Sequence, residues 1–125
     1  MTTVGFIGLG SQGGPMARRI ADAGIDTVLW ARRPETLEPF ADSSAKTAQS
    51  PAGLGAASDI VCLCVVGDDD VLSVATGPGG VLSGMRKGGI IVVHSTVHPD
   101  TCVKLAAEAA ERGVSVVDAP VSGGG

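Results

Sequence analysis

The sequence contains very few aromatic residues. Its 125 residues include two Phe, one Trp and no Tyr, so a hydrophobic core has to consist mainly of Val, Ile, Leu, Ala and Met. Aliphatic cores of this kind are typical of parallel sheets that helices cover on both faces. The chain is long enough for one domain with a core of its own, and we expect an aliphatic core.

Basic residues are also scarce. Nine Lys and Arg stand against 13 Asp and Glu, which gives a net charge of −4, and no basic stripe is present. This balance argues against a nucleic-acid partner. No apolar run approaches the roughly 18 residues of a membrane span, and the start of the chain lacks the apolar region of a signal peptide. We therefore expect a soluble, cytoplasmic protein without a membrane partner.

Cysteine and histidine are too few to suggest a disulfide framework or a metal site. The three cysteines, Cys62, Cys64 and Cys102, are an odd number without framework spacing, which indicates reduced thiols. Cys62 and Cys64 are two residues apart on a predicted strand and therefore share one face. Because His94 and His98 are the only histidines, we predict no metal site. We interpret His94 as structural and His98, just before Pro99, as a solvated residue in the cap region of a helix.

Short apolar runs alternate with helical patterns along the whole chain. The apolar runs predict strands at residues 4–7, 27–30, 46–48, 60–66, 89–94 and 115–118. Helices are predicted at residues 12–23, 34–40, 51–57, 69–75 and 99–112, with a loop at residues 77–80. Such alternation requires a parallel sheet with helices on both faces. Six strands match the order 3-2-1-4-5-6, so we predict a single-domain α/β fold, a doubly wound parallel sheet of the Rossmann type.

The turn after the first predicted strand has the spacing G-x-G-x-x-G. It reads Gly8-Leu9-Gly10-Ser11-Gln12-Gly13 and leads into a predicted helix, which is the context that a dinucleotide-binding fingerprint requires. The first glycine permits the tight turn, the second admits a pyrophosphate to the backbone, and the third lets the helix pack closely. The helix amino terminus then offers free N–H groups to the anion. The alternative is an ordinary glycine-rich turn.

The end of the second predicted strand lacks the acid that NAD-binding proteins usually place there. Such an acid, about 20 residues after the glycines, binds the ribose 2′-OH. This chain has Ala31, Arg32 and Arg33 instead. Two guanidinium groups can bind a 2′-phosphate through charge-assisted hydrogen bonds, so the sequence predicts NADP rather than NAD. The alternative is a pair of solvated arginines at the start of a helix.

Three segments resemble the β-hydroxyacid dehydrogenases, which include 3-hydroxyisobutyrate dehydrogenase, tartronate semialdehyde reductase and 6-phosphogluconate dehydrogenase. They are GFIGLG at residues 5–10 with GPMA at 14–17, HSTV at residues 94–97, and DAPVSGG at residues 118–124. They occur in the family's order along the whole chain. Gln12, Val66 and His94 differ from the family pattern.

The resemblance places cofactor contacts on the glycine turn, Arg32, Val65, Val66 and Thr96. Together with their neighbours, the candidate cofactor-binding residues are Gly8, Leu9, Gly10, Ser11, Gln12, Gly13, Ala31, Arg32, Arg33, Cys64, Val65, Val66 and Thr96. The resemblance also implies that the carboxylate of a substrate binds Ser122, Gly123 and Gly124. Consecutive glycine N–H groups can form an anion-binding concavity, to which a hydroxyl adds a donor.

The family's general acid/base is a lysine on a helix beyond the Ser-Gly-Gly signature, and the resemblance places it beyond Gly125. Lys46, Lys87 and Lys104 all precede that signature, so we expect no catalytic residue among residues 1–125. By the resemblance, these residues form the NADP-binding domain. A helical domain absent from this chain would complete the substrate site and form a homo-oligomer.

The resemblance implies hydride transfer between NADP and a β-hydroxyacid or its aldehyde or keto acid. Two alternatives are a stand-alone dinucleotide-binding module without catalysis and the cofactor half of an imine reductase-like enzyme. The sequence does not identify the substrate, because the residues that select it would lie mostly in the other domain.

Overall fold

The computed structural model describes residues 2–10, 13–65, 67–95 and 97–119. The strands are β1 (Thr3–Ile7), β2 (Asp26–Trp30), β3 (Lys46–Thr47), β4 (Ile60–Leu63), β5 (Ile90–Val93) and β6 (Ser115–Asp118). The helices are α1 (Gly13–Asp22), α2 (Pro51–Ala57), α3 (Gly67–Ala75), α4 (Val81–Gly84) and α5 (Pro99–Glu111), with a 3₁₀ helix at Pro34–Phe40. All strands are parallel, in the order β3-β2-β1-β4-β5-β6. This confirms the predicted Rossmann-type sheet.

Side chains of the strands alternate between two hydrophobic clusters, one on each face of the sheet. The larger cluster joins the strands to the helices from α2 to α5 and includes Ile7, Val28, Leu54, Val61, Leu63, Val71, Ile91, Val93, Leu105 and Ala109. The smaller cluster joins the strands to α1 and the 3₁₀ helix and comprises Val4, Phe6, Ala17, Leu29, Phe40 and Cys62. Most members of both clusters are aliphatic, as expected from the composition.

Helix α1 packs on the sheet through its smallest residues. Ala17 and Ala21 are buried, whereas Met16 and Ile20 are only partly buried at the edge of the smaller cluster. Ala23, which the helical pattern assigns to the same apolar side, is exposed beyond the end of α1. The helix has already ended there, at a turn where Gly24 has a φ of +84°. Small residues on the buried side allow the helix to lie close to the strands.

Three predicted strands are shorter in the structure, and the one predicted at 46–48 ends at Thr47 as β3. The prediction of a strand at 60–66 is wrong in its last part, because β4 ends at Leu63. The Cys64 N–H still donates to the Ile7 carbonyl at 2.9 Å, after which the chain leaves the sheet to begin α3 at Gly67. Likewise β5 omits Gly89, whose N–H donates to the Arg86 carbonyl within a turn. Hydrophobic residues continue in the sequence past the end of β4, so the hydrophobic pattern overestimates the length of this strand.

The sequence pattern does not predict α4, which follows the loop at residues 77–80. This helix lies against α2 with unusually close backbones. A Cβ added at Gly55 would overlap the Val81 carbonyl oxygen, and one added at Gly84 would overlap the Ala52 carbonyl oxygen. Because each helix presents a glycine to the other, four helical residues are enough to cover this part of the larger cluster.

We expect truncation of Leu105 on α5 to destabilise the fold more than truncation of Val103 on the same helix. Leu105 is fully buried, whereas Val103 is 65% exposed. Leu105→Ala should lower the free energy of unfolding by about 2–5 kcal/mol because it leaves a cavity. Val103→Ala should change it by about 0.5 kcal/mol or less. Urea denaturation of both variants is the measurement, and equal losses would contradict this assignment of the buried face.

Candidate functional site

A cavity of about 290 Å³ opens at the carboxyl ends of β1, β2 and β4. Its lining consists of Ile7, Gly8, Leu9, Gly10, Trp30, Ala31, Arg32, Arg33, Thr36, Cys64, Val65, Asp70 and Val74. The strand order reverses between β1 and β4, and open α/β sheets bind ligands at such a reversal, outside the carboxyl ends of the strands. The position of the cavity therefore matches that of a ligand site.

The glycine turn forms the floor of this cavity, and two of its glycines are required by the protein itself. Gly8 has a φ of +100° and lies so close to β4 that an added Cβ would overlap the Cys64 carbonyl. A Cβ at Gly13 would overlap the Gly8 carbonyl oxygen. At Gly10, by contrast, an added Cβ would have no other atom of the described chain within 4 Å. Gly10 therefore leaves open space beside the cavity.

The amino terminus of α1 follows this turn. Helix α1 begins at Gly13, and the Gly14 N–H donates to the Gly10 carbonyl at 2.8 Å. Pro15 lies in the first turn, where its missing N–H costs no helical hydrogen bond. No acidic residue occupies the first turn of α1, so the positive end of the helix dipole is not neutralised there by a carboxylate of its own.

Arg32 extends from the end of β2 across the cavity towards α3. Its Nη2 atom lies 3.4 Å from the Asp70 Oδ1 atom and 3.4 Å from the Ser73 Oγ atom. Arg33 also lines the cavity, but its backbone is extended and it precedes Pro34, where the 3₁₀ helix begins. The residue before a proline favours this extended conformation. The cavity thus contains two guanidinium groups and one carboxylate.

Cys64 lines the cavity next to the glycine turn, while Cys62 is buried beneath it in the smaller cluster. Both side chains pack against that cluster, which confirms the prediction that they share a face. Burial raises the pKa of Cys62 to about 11, with a smaller contribution from Cys64, and burial also raises the pKa of Cys64. Both groups are therefore neutral thiols near pH 7 and act as apolar surface.

The two histidines make structural hydrogen bonds near the ends of β5 and β6. His94 Nδ1 lies 3.0 Å from the Ala119 carbonyl oxygen, to which it donates, and the His94 ring lies near Phe6 with 6.3 Å between centroids. His98 caps α5 by accepting a hydrogen bond from the Asp100 N–H through its Nδ1 atom at 3.1 Å. Neither histidine lines the cavity at the glycine turn.

Asp68 connects the start of α3 to the start of α5. Its carboxylate accepts hydrogen bonds from the Thr101 hydroxyl and from the His98 N–H, the latter at 2.8 Å. The Thr101 hydrogen bond, followed by the His98 N–H bond, lowers the pKa of Asp68. The Asp68 carboxylate therefore links the start of α3 to the start of α5. Asp70, on the same helix, instead faces the cavity.

The structure brings together most of the candidate cofactor-binding residues that it describes. Eight line the cavity, namely Gly8, Leu9, Gly10, Ala31, Arg32, Arg33, Cys64 and Val65. Gly13 packs beneath them against Gly8. The predicted cofactor contacts Ser11, Gln12, Val66 and Thr96 lie outside the described residues.

The candidate substrate residues also lie outside the described residues. They are Ser122, Gly123 and Gly124, and Gly125, beyond which the family's lysine is expected, lies outside them as well. The substrate site and the position of the general acid/base therefore stay predictions from the sequence. The site that the structure describes is the cavity at the glycine turn.

Five residues line the cavity although they are not among the predicted cofactor contacts: Ile7, Trp30, Thr36, Asp70 and Val74. Asp70 and Val74 are one helical turn apart on α3, so they share a face. That spacing is the one local signal for this pair.

In the described ranges, no three His, Cys, Asp or Glu side chains group as metal ligands would. No helix there has the length and apolar character of a membrane span.

Residues 3–125 match the family described as the NAD binding domain of 6-phosphogluconate dehydrogenase. The chain is 38% identical over 121 residues to 2-(hydroxymethyl)glutarate dehydrogenase of Eubacterium barkeri, a match that covers 97% of the chain and 40% of that protein. It is 33% identical over 123 residues to mitochondrial 3-hydroxyisobutyrate dehydrogenase of Rattus norvegicus, covering 98% of the chain and 37% of that protein.

A solved structure of Psf3 in complex with NADP+ and 2-OPP has the same fold. It is 30% identical, with a TM-score of 0.89, and the match covers 96% of this chain and 43% of that one. The chain therefore spans about two fifths of the length of the relatives it matches.

The different surroundings of Gly10 and Gly13 lead to a prediction about stability. Gly13→Ala should lower the free energy of unfolding by about 2 kcal/mol or more, because its methyl group meets backbone that cannot move aside. Gly10→Ala should change it by less than about 1 kcal/mol, because the methyl group enters open space. Urea denaturation of the two variants is the measurement. Equal destabilisation would contradict the packing of the turn.

Proposed function

The chain belongs to the family of the NAD-binding domain of 6-phosphogluconate dehydrogenase, the amino-terminal domain of the β-hydroxyacid dehydrogenases, and we propose that residues 1–125 are an NADP-binding domain. The parent protein would be an oxidoreductase that interconverts a β-hydroxyacid and the corresponding aldehyde or keto acid. Its relatives include dehydrogenases of 3-hydroxyisobutyrate and of 2-(hydroxymethyl)glutarate, which supports this class of substrate.

The observation that carries the proposal is the shared cavity of the glycine turn and Arg32. The turn would hold the pyrophosphate, since Gly10 leaves its side of the cavity open and the amino terminus of α1 favours an anion. Arg32 and Arg33 would hold the 2′-phosphate through charge-assisted hydrogen bonds. No carboxylate follows β2 at the position where an NAD enzyme binds the ribose 2′-OH.

The remaining candidate residues would extend the site towards the reacting end of the cofactor. Cys64 and Val65 line the same cavity beside the glycine turn, and by the family resemblance Val66 and Thr96 would also contact the cofactor. The cofactor would supply the hydride chemistry, while the chain binds and orients it.

The substrate end of the site would lie after β6. Ser122, Gly123 and Gly124 would bind the substrate carboxylate through a hydroxyl and consecutive N–H groups. A lysine of the family's following domain, beyond Gly125, would be the general acid/base.

The same proposal covers the parent protein's assembly and location. A helical domain outside residues 1–125 would complete the substrate site and form a homo-oligomer. Cys62, Cys64 and Cys102 are free thiols, which supports a cytoplasmic location, since disulfides form mainly in oxidising compartments.

We expect Arg32→Ala to weaken NADP binding about ten- to a hundredfold, because hydrogen bonds to charged groups contribute roughly 1.5–3 kcal/mol. NAD binding should change little, because the pyrophosphate contacts of the glycine turn are unaffected. Trp30, the only tryptophan, lines the cavity, so its fluorescence can follow a titration with either cofactor. Added salt should weaken NADP binding more than NAD binding.

Lys46→Ala is a matched control for loss of one positive charge. Lys46 is exposed on β3 and does not line the cavity, so this variant should bind both cofactors like the wild type. Equal wild-type affinities for NAD and NADP, or equal losses of both in Arg32→Ala, would contradict the proposed role of Arg32.

A second prediction concerns activity. Residues 1–125 with NADP and a β-hydroxyacid such as 3-hydroxyisobutyrate should show no steady-state turnover, because the expected general acid/base, which typically contributes about 10²- to 10⁴-fold, lies outside them. Formation of NADPH is followed by its absorbance. Binding of NADP without turnover is the expected result, and sustained turnover would show that these residues hold the complete catalytic machinery.

A further inference from the structure

The guanidinium group of Arg32 is held by α3, on the wall of the cavity opposite β2. Both of its contacts come from one face of that helix, Asp70 and Ser73, which are three residues apart. Both contacts use the same Nη2 atom at 3.4 Å. This leaves the other nitrogen atoms of the guanidinium group for further acceptors.

Asp70 is the carboxylate of this cavity and the ion-pair partner of Arg32. The two side chains are 42% and 57% exposed, respectively, so water screens the pair and either partner can exchange it for a stronger one. A phosphate group with about two negative charges near neutral pH is a stronger partner for a guanidinium group than one carboxylate. Asp70 and a 2′-phosphate would therefore compete for the same cation.

We propose that Asp70 is a specificity-determining residue that lowers the preference of this chain for NADP by competing with the 2′-phosphate for Arg32. The inference rests on the proposed function, in which the 2′-phosphate binds at Arg32. Binding of NADP would replace the contact between Arg32 and Asp70, and it would leave a carboxylate near the phosphate. NAD has no 2′-phosphate, so its binding would leave the ion pair intact.

The neighbouring acids on α3 do not share this position. Asp68 is hydrogen-bonded to Thr101 and to the His98 N–H at the start of α5. Asp69 is exposed and does not line the cavity. Three consecutive carboxylates in the first turn of one helix therefore differ in what they face, and Asp70 is the one that reaches Arg32.

The test is a titration of the 125-residue chain with NADP, NAD, 2′,5′-ADP and 5′-ADP, followed by the fluorescence of Trp30 or by calorimetry. Asp70→Asn should tighten binding of NADP and 2′,5′-ADP about two- to fivefold, the range expected for an exposed ion pair. It should change binding of NAD and 5′-ADP less than about twofold. Asp69→Asn is the matched control, with the same loss of charge on the same helix, and should leave all four affinities within about twofold of the wild type.

A double-mutant cycle tests whether Asp70 acts through Arg32. In an Arg32→Ala background, Asp70→Asn should no longer tighten NADP binding. Undiminished tightening in that background would mean that Asp70 only repels the phosphate, and it would overturn competition for Arg32. Weaker NADP binding by Asp70→Asn alone would mean that Asp70 orients Arg32 for the phosphate, and it would also overturn the proposal.

Failure of the proposed function has a different signature. If wild type bound 2′,5′-ADP no better than 5′-ADP, and Arg32→Ala lost nothing, the 2′-phosphate would not bind at Arg32 at all. If wild type preferred 2′,5′-ADP through Arg32 and Asp70→Asn left that preference unchanged, NADP binding would stand and the role of Asp70 would be overturned.

Discussion

Gly8 and Gly13 have no room for a side chain where β1 turns into α1, and the site depends on this constraint. Gly8 lies against the Cys64 carbonyl at the end of β4, and Gly13 lies against the carbonyl of Gly8. The backbone of the turn is thereby held between the first strand, its neighbour in the sheet and the first helix. Gly10 is not required by packing in this way, which leaves open space beside the cavity. The same turn thus combines a close-packed base with an accessible surface.

The charged residues of the cavity come from both sides of the point where the strand order reverses, between β1 and β4. Arg32 and Arg33 follow β2, whereas Asp70 comes from α3, the helix that follows β4. The two walls of the cavity therefore carry opposite charges. A carboxylate directly after β2 would bind a ribose hydroxyl. In this chain, a carboxylate on the opposite wall binds the arginine instead.

Local patterns were sufficient for most of the fold. The bounds of α2, β6 and the 3₁₀ helix agree with the prediction, and other strands and helices differ from it mainly at their ends. The ends of strands are harder to predict, because the last hydrogen bond of a strand to the sheet depends on where the neighbouring strands end. Helix α4 was missed because four residues carry no helical period. Its position depends on the close contact of Gly55 and Gly84 with the backbone of the partner helix.

By itself, the sequence determined the alternation of strands and helices, the glycine turn and the arginines after β2. These features are local, since each depends on hydrophobic period, glycine spacing or residue type within a few positions. Only the tertiary structure decided that Asp70 faces Arg32 while Asp68 binds Thr101, because 38 and 33 residues separate these partners. Three adjacent aspartates are alike as a sequence. Asp70 and Asp68 differ because the fold places Arg32 beside one of them and the start of α5 beside the other.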